Sequence, residues 1–260
     1  MLGCSKAFGG RMAGMLSNRR GIVTGAGSGI GQAVARRLLR EGVDVIAVDI
    51  DAARLKGLEG EGCRAFAGDM SDPAARARLA ALADGADYLV NSHGIIMIRP
   101  IFELTVDEWR KTQIVNAESI FFLCQQIGPK LKSGGAIVNL SSSSAKLATT
   151  IEVAAYAASK TAIASITRSF AYALASRNVR VNCILPGIVN TPMQDAVLEE
   201  IAPMRGTTKE AWGEVRNKVV PLGRGASPDE CANLIWFLLS SEANYMTGQS
   251  INYTGGHITW

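Results

Sequence analysis

The 260-residue chain sets 27 Lys and Arg against 23 Asp and Glu, a net charge of +4, with no basic run longer than Arg19-Arg20 or Arg36-Arg37. Charge this small and scattered is ordinary solvation and gives no footprint for nucleic acid. A 48% hydrophobic chain of this length suits one α/β domain with a large core, and no apolar run approaches the roughly 18 residues of a membrane span.

Five cysteines, Cys4, Cys63, Cys124, Cys183 and Cys231, form no C-x-x-C pair. An odd count with two members in apolar runs points to a reduced, cytoplasmic compartment rather than a disulfide framework. His93 and His257 are the two histidines, so ligands for a metal are scarce and none is expected. Residues 1–14 are Gly-rich, carry Lys6 and Arg11, and lack the apolar stretch of a signal peptide. They are expected to be a disordered tail, or to precede a start at Met12 or Met15, with 15–260 as the single domain.

Ile22-Val23-Thr24 reads as a strand entering Gly25-Ala26-Gly27-Ser28-Gly29-Ile30-Gly31, and a helical period follows from Gln32 to Arg40. Strand, glycine turn and helix form a phosphate cradle, because glycines admit a pyrophosphate to the backbone and the helix start offers free N–H groups. A second strand, Val43 to Val48, ends at Asp49, twenty positions after Gly29. A carboxylate there accepts from the ribose hydroxyls of NAD and repels a 2′-phosphate, or it caps the next helix. A third strand, Arg64 to Ala67, leads to Asp69-Met70, where Asp69 either meets adenine or caps a helix from Pro73.

Tyr88 to Val90 is a fourth strand, ending in Asn91-Ser92-His93-Gly94. One long helix is expected from Val106 to Leu131, with Asn116 among apolar neighbours; a buried amide needs partners. Ala136 to Leu140 is a fifth strand, opening into Ser141 to Ser144. The next segment, Val153 to Ser176, has no Gly or Pro and reads as helix. It holds Tyr156 and Lys160, four apart and so on one face. An ammonium beside a phenol favours the phenolate and lowers a pKa that is ordinarily about 10, which suits a general acid/base working on an alcohol oxygen. Val179 to Leu185 is a sixth strand, ending in Pro186-Gly187. Pro228 to Leu239 is a helix, and Gln249 to Tyr253 a last strand. The alternation predicts a Rossmann-like, doubly wound parallel sheet with helices on both faces. The polar residues singled out gather at the carboxyl ends of strands, where such sheets bind ligands.

With these motifs in order, the chain resembles the classical short-chain dehydrogenase/reductase family from about Arg19 to the C-terminus. The resemblance rests on Thr24-Gly25-x-x-x-Gly29-Ile30-Gly31, Asn91-Ser92-His93-Gly94, Asn116, the serines after Asn139-Leu140, Tyr156-x-x-x-Lys160, and Pro186-Gly187-Ile188-Val189-Asn190-Thr191-Pro192. It implies Tyr156 as the proton carrier, Lys160 on the nicotinamide ribose, a serine on the substrate oxygen, and Asn116 holding a water. It implies an NAD site of Gly25, Ser28, Gly29, Ile30, Gly31, Asp49, Asp69, Met70, Asn91, His93, Gly94, Tyr156, Lys160, Pro186, Gly187, Val189, Thr191 and Met193, with Thr191 on the carboxamide. The family usually places the catalytic serine three residues after the strand Asn, which the resemblance carries to Ser142, and thirteen before the Tyr, which it carries to Ser143. Ser142 is favoured because a strand end fixes position, with Ser143 as a second substrate contact.

His93 stands where the family usually has Ala, and is expected either to pack on the cofactor or to reach substrate. Tyr253-Thr254-Gly255-Gly256 replaces the usual Val-Asp-Gly-Gly. The expected activity is NAD-dependent transfer of a hydride between a secondary alcohol and the nicotinamide, the substrate being a polyol, sugar or hydroxy acid and its ketone. The rivals are an NADPH-dependent ketoacyl reductase and a non-catalytic nucleotide sensor. Lys146, Arg99, Arg205 and Arg216 hint at a hydroxylated or anionic substrate, with solvated surface charge as the alternative. Apolar residues on several faces of the two long helices, among them Ile163, Ile166, Phe170, Leu174 and Ile120 to Leu123, point to a homotetramer, with a dimer as fallback.

Overall fold

The computed structural model describes residues 19–260 except Glu61 and Thr149. The expected tail, 1–14, and the choice between Met12 and Met15 lie outside the described residues. Seven strands, β1 (Arg20–Thr24), β2 (Asp44–Asp49), β3 (Cys63–Ala67), β4 (Tyr88–Asn91), β5 (Ala136–Leu140), β6 (Arg180–Pro186) and β7 (Ser250–Tyr253), form one sheet in the order 3-2-1-4-5-6-7. Every pairing is parallel, with Ile22 opposite Ile46 on one side and Leu89 on the other.

Consecutive residues of β1 divide the core. Ile22 packs below the sheet with Leu79, Leu89, Ile120 and Ile163, while Val23 packs above it with Val34, Leu38, Ile235 and Leu238. The lower layer is α3 (Pro73–Ala81), α4 (Val106–Gln113), α5 (Ser119–Ile127) and α6 (Ala154–Leu174). The upper layer includes α1 (Gly29–Arg40), the short α2 (Ala52–Leu55) and α9 (Pro228–Leu239). Strands covered on both faces are apolar throughout, as in β4, β5 and β6, which are buried at every position. The strand order reverses between β1 and β4, and that switch point opens a crevice at the carboxyl ends.

Two expectations change. The helix predicted over Val106 to Leu131 is divided by a π-turn, Ile114–Glu118, which carries Asn116. The segment after Pro192, to which the sequence reading gave no elements, folds as α7 (Pro192–Met204) and α8 (Lys209–Lys218). Thr191 caps α7 and Pro192 takes its first position, where a missing N–H has no consequence. These helices cover a third, small core of Ile98, Val153, Val197 and Ile201, against which Ile96, Tyr156 and Trp212 pack. On α6, Ile163 and Leu174 lie in the main core, and Ile166 and Phe170 pack at its margin, so the outward apolar surface is smaller than the sequence implied.

Candidate active site

The glycine turn is closed by contacts that no side chain would survive. A Cβ on Gly31 would stand 2.1 Å from the Gly25 carbonyl oxygen, and one on Gly25, at φ +68, would meet the His93 backbone at 2.8 Å. Ser28, the N-cap of α1, makes no side-chain capping bond, and no acidic residue occupies the first turn. The N–H groups and positive end of a 12-residue helix therefore face the crevice without an internal anion. Such a cradle fits the pyrophosphate of a dinucleotide.

Asp49 ends β2 nearly buried. Its Oδ2 accepts from Gly27 N at 2.9 Å and its Oδ1 from Asp51 N at 3.0 Å. The cap of α2 is Asp51, and Asp49 instead ties the glycine turn to the strand end, with lone pairs to spare for ribose hydroxyls. Arg54, which the sequence reading missed, lies against Gly27: a Cβ there would stand 2.7 Å from Arg54 Cβ. Asp69 is exposed and accepts from Ser71 N; the Pro73 helix is capped by Asp72. Met70 turns its side chain into the main core, away from the crevice.

Asn91 also departs from its expected role. Its amide points into the core, donating to Asn139 Oδ1 at 2.9 Å, and Asn139 in turn donates to Thr167 Oγ1 at 3.0 Å. This chain locks β4 to β5 and α6 beneath the site. Gly94 permits a close approach: a Cβ there would stand 3.1 Å from Asn116 Oδ1 and 3.5 Å from Lys160 Nζ.

The Asn116 amide is held by protein groups. Its oxygen accepts from Ile95 N at 2.8 Å, and its nitrogen donates to Ile95 O at 2.8 Å and to Ser159 Oγ at 3.0 Å. Ser159 donates to the Tyr156 carbonyl at 2.7 Å. Both amide hydrogens are thus engaged, and a water held by Asn116 would need its remaining acceptor capacity or its backbone.

His93 turns inward. Its Nδ1 lies 2.7 Å from Thr24 Oγ1 and its Nε2 lies 2.7 Å from Ser119 Oγ. The π-turn sends Ser119 N to Ile114 O, which frees the Val115 carbonyl, and the Ser119 hydroxyl donates to it at 2.6 Å. Nε2 therefore carries the proton and Nδ1 accepts from Thr24. Both nitrogens serve protein partners, so the ring braces the π-turn against β1 and does not reach substrate. Burial, then the Lys160 ammonium, pushes its pKa down to about 3. A lowered histidine pKa stabilises the fold fully above the unfolded value near 6.5 and loses that contribution as pH falls toward the folded value. Between pH 7.5 and 5, the parent should lose about 2 kcal/mol more than a His93→Asn variant in urea unfolding. Equal losses would show that His93 does not carry the acid sensitivity.

Tyr156 and Lys160 share one face of α6. Burial raises the pKa of the phenol, and the nearby Ser142 side chain lowers it by less. Lys160 is buried, donates to the Leu140 carbonyl at 2.9 Å, and stands 5.5 Å from the Tyr156 ring centroid. Desolvation pulls its pKa down to about 8. The expected lowering of the phenol by the ammonium is not seen: burial raises its pKa, and the lowering contribution comes from Ser142. Ser141, which no motif singled out, donates to the Lys160 carbonyl at 2.6 Å and staples β5 to α6. Ser142 caps the one-turn helix Ser143–Ala145 by accepting from Ser144 N at 3.1 Å, and this fixes its hydroxyl at the strand end.

At the end of β6, Gly187 N donates to Tyr253 O at 2.9 Å, and Val189 bridges to Ala226. Thr191 Oγ1 accepts from Gln194 N at 3.3 Å, and Thr191 Cγ2 would lie 3.3 Å from a Cβ on Gly29. Of this loop, Thr191 is the residue brought against the glycine turn, while Pro186 and Val189 are buried and Met193 is exposed. Among the described residues no helix is long and apolar enough to cross a membrane.

A parallel doubly wound sheet with a phosphate cradle at its switch point, and a Ser-Tyr-Lys cluster beside it, defines a nicotinamide-dependent oxidoreductase. The comparisons agree. Residues 25–257 match the family model described as enoyl-(acyl carrier protein) reductase. D-threitol dehydrogenase of Mycolicibacterium smegmatis is 35% identical, over 93% of this chain and 94% of its own. Galactitol 2-dehydrogenase (L-tagatose-forming) of Cereibacter sphaeroides is 35% identical, over 92% and 94%. The crystal structure of a tryptophan-substituted actinorhodin polyketide ketoreductase with NADPH superposes at TM-score 0.86 with 27% identity, over 93% of this chain and 98% of that one. The chain belongs to the short-chain dehydrogenase/reductase family, oxidoreductases that act on CH–OH groups with nicotinamide cofactors.

Proposed function

We propose that the protein is an NAD-dependent dehydrogenase of secondary alcohols of the polyol, sugar or hydroxy-acid type, with Tyr156 as its general acid/base. The observation that carries this is the buried Lys160 ammonium 5.5 Å from the Tyr156 ring centre, with Ser142 fixed at the adjoining strand end. NAD would be held by Gly25 to Gly31, Asp49, Lys160 and the loop from Pro186 to Thr191. When bound, the nicotinamide takes up the hydride from the alcohol carbon. Ser142 orients the alcohol oxygen, and Tyr156 accepts its proton. Lys160 holds positive charge beside the ring at pH below about 8 and so favours the phenolate as it forms. Tyr156 packs against the third core of Ile98, Val153, Val197 and Ile201, which shields one side of the ring from water.

Turnover assays with NAD and with NADP, over alditols, aldoses and hydroxy acids, test this reading. Reduction of ketoacyl thioesters with NADPH alone would support the reductase reading, which Arg54 beside the glycine turn favours. No turnover with either nucleotide would leave the sensor. Ser142→Ala should lower turnover more than Ser143→Ala, because Ser142 influences the phenol and is fixed at the strand end. The reverse order would assign the catalytic role to Ser143.

The proposed assembly is a homotetramer with a dimer as fallback, in the cytoplasm. Phe102 is 98% exposed, and Val106, Trp109, Ile114 and Phe121 extend that apolar surface along α4, the π-turn and α5. Light scattering at micromolar protein tests this, and an active monomer of 27.5 kDa would refute it.

A further inference from the structure

Arg99, Lys146, Arg205 and Arg216 are the cations that the sequence offers as candidates for the substrate side, and the structure gives three of them partners. Arg99 donates to Glu108 at 2.8 Å, Lys146 to the Trp260 carbonyl at 2.6 Å, and Arg205 to the buried Glu152 at 2.8 Å. Arg216 forms no ion pair among the described residues, and its Nη1 is buried without a hydrogen-bond partner. One turn earlier on α8, Trp212 Nε1 is also buried and unpartnered. Positions i and i+4 share a helix face. That face turns inward at Trp212, which packs on the small core that Tyr156 also packs against.

Arg216 is half-buried, but a guanidinium nitrogen withdrawn from water without an acceptor is costly, and the buried indole N–H adds to that cost. Burial alone depresses the Arg216 pKa, and no acidic group offsets it. Asn91 and Asn252 also carry an orphan atom, but the rest of each amide is bonded within the protein. A planar fork and an indole N–H on one face suit a carboxylate, which accepts several hydrogen bonds at once.

We infer that Arg216 and Trp212 form the anion-recognising end of the substrate pocket, and that the preferred substrate is a hydroxy acid whose carboxylate lies away from the carbon that Tyr156 addresses. This rests on the dehydrogenase reading above and narrows it. Neutral polyols enter the same pocket with those donors unanswered.

The test compares an aldonate with the neutral alditol of equal chain length. The parent should favour the aldonate at least tenfold in kcat/KM. Arg216→Met should raise KM for the aldonate by roughly 10- to 100-fold, as expected for a lost charge-assisted bond, leave kcat within a few-fold, and change the alditol by no more than about threefold. Trp212→Phe should weaken the aldonate less. Calorimetric titration of the aldonate into NADH-loaded parent and Arg216→Met protein should show the same loss in affinity. If Arg216→Met does not fold, Arg216→Lys keeps the charge without the fork and should give an intermediate loss confined to the aldonate. Equal damage to both substrates overturns the inference, as does a smaller oligomer for Arg216→Met with unchanged kinetics. A parent that oxidises alditols and ignores aldonates overturns it while sparing the dehydrogenase reading. Failure to oxidise any alcohol with NAD or NADP removes that reading itself.

Discussion

Tyr156→Phe is expected to lower turnover at least about a hundredfold while leaving NAD affinity within a few-fold of the parent. The substitution deletes one oxygen and keeps the ring. The ring's packing against the core of Ile98, Val153, Val197 and Ile201 survives, so the fold should hold. What is lost is a titratable oxygen on the ring that stands beside the buried Lys160 ammonium. The pH profile separates a chemical role from a structural one. Burial holds the phenol protonated above its ordinary range, and the nearby Ser142 only partly offsets this. Alcohol oxidation needs the deprotonated form, so the rate of the parent should climb as pH rises through the alkaline range, and ketone reduction should fall. The Phe variant should lose that slope. A variant that turns over within a few-fold of the parent, with the slope intact, would show that Tyr156 is not the acid/base.

How far the sequence could be read follows from what side-chain pattern encodes. The bounds of β5 and α9 were legible to the residue, because apolar runs flanked by glycines or opened by a Ser-x-x-Glu box leave little choice. The π-turn was not, since one extra residue in a helical turn leaves the apolar period nearly unchanged. Yet it aims Asn116 at Ile95 and Ser159 and calls for Ser119 and His93 to hold it. Ser141 and Ser159 were equally hidden, because their importance lies in carbonyls they meet from another element. Asn91 was read as a cofactor residue from its motif, whereas pairing of β4 with β5 sets it opposite Asn139 inside the core. Arg54 escaped notice because only the fold of α2 brings it back to the glycine turn.

Asp49→Ser should weaken NAD and strengthen NADP, shifting their ratio of dissociation constants by at least about a hundredfold. Two contributions act together. The carboxylate can accept from both ribose hydroxyls, and a hydrogen bond to a charged group contributes about 1.5–3 kcal/mol. The same carboxylate opposes a 2′-phosphate, and in a site nearly closed to water that repulsion is weakly screened. Serine removes the charge while its hydroxyl can keep the bond from Gly27 N, which alanine would forfeit. Arg54 then matters. Its guanidinium is paired at 3.3 Å with Asp51 on the surface, a weak and exposed contact that a phosphate can displace. Arg54→Ala in the Asp49→Ser background should therefore abolish most of the gain for NADP and leave NAD binding nearly unchanged. Fluorescence titration with NADH and NADPH across the parent, the single variant and the double variant measures all three. A parent that already prefers NADPH would reverse the assignment of Asp49 and make Arg54 the residue that selects the cofactor.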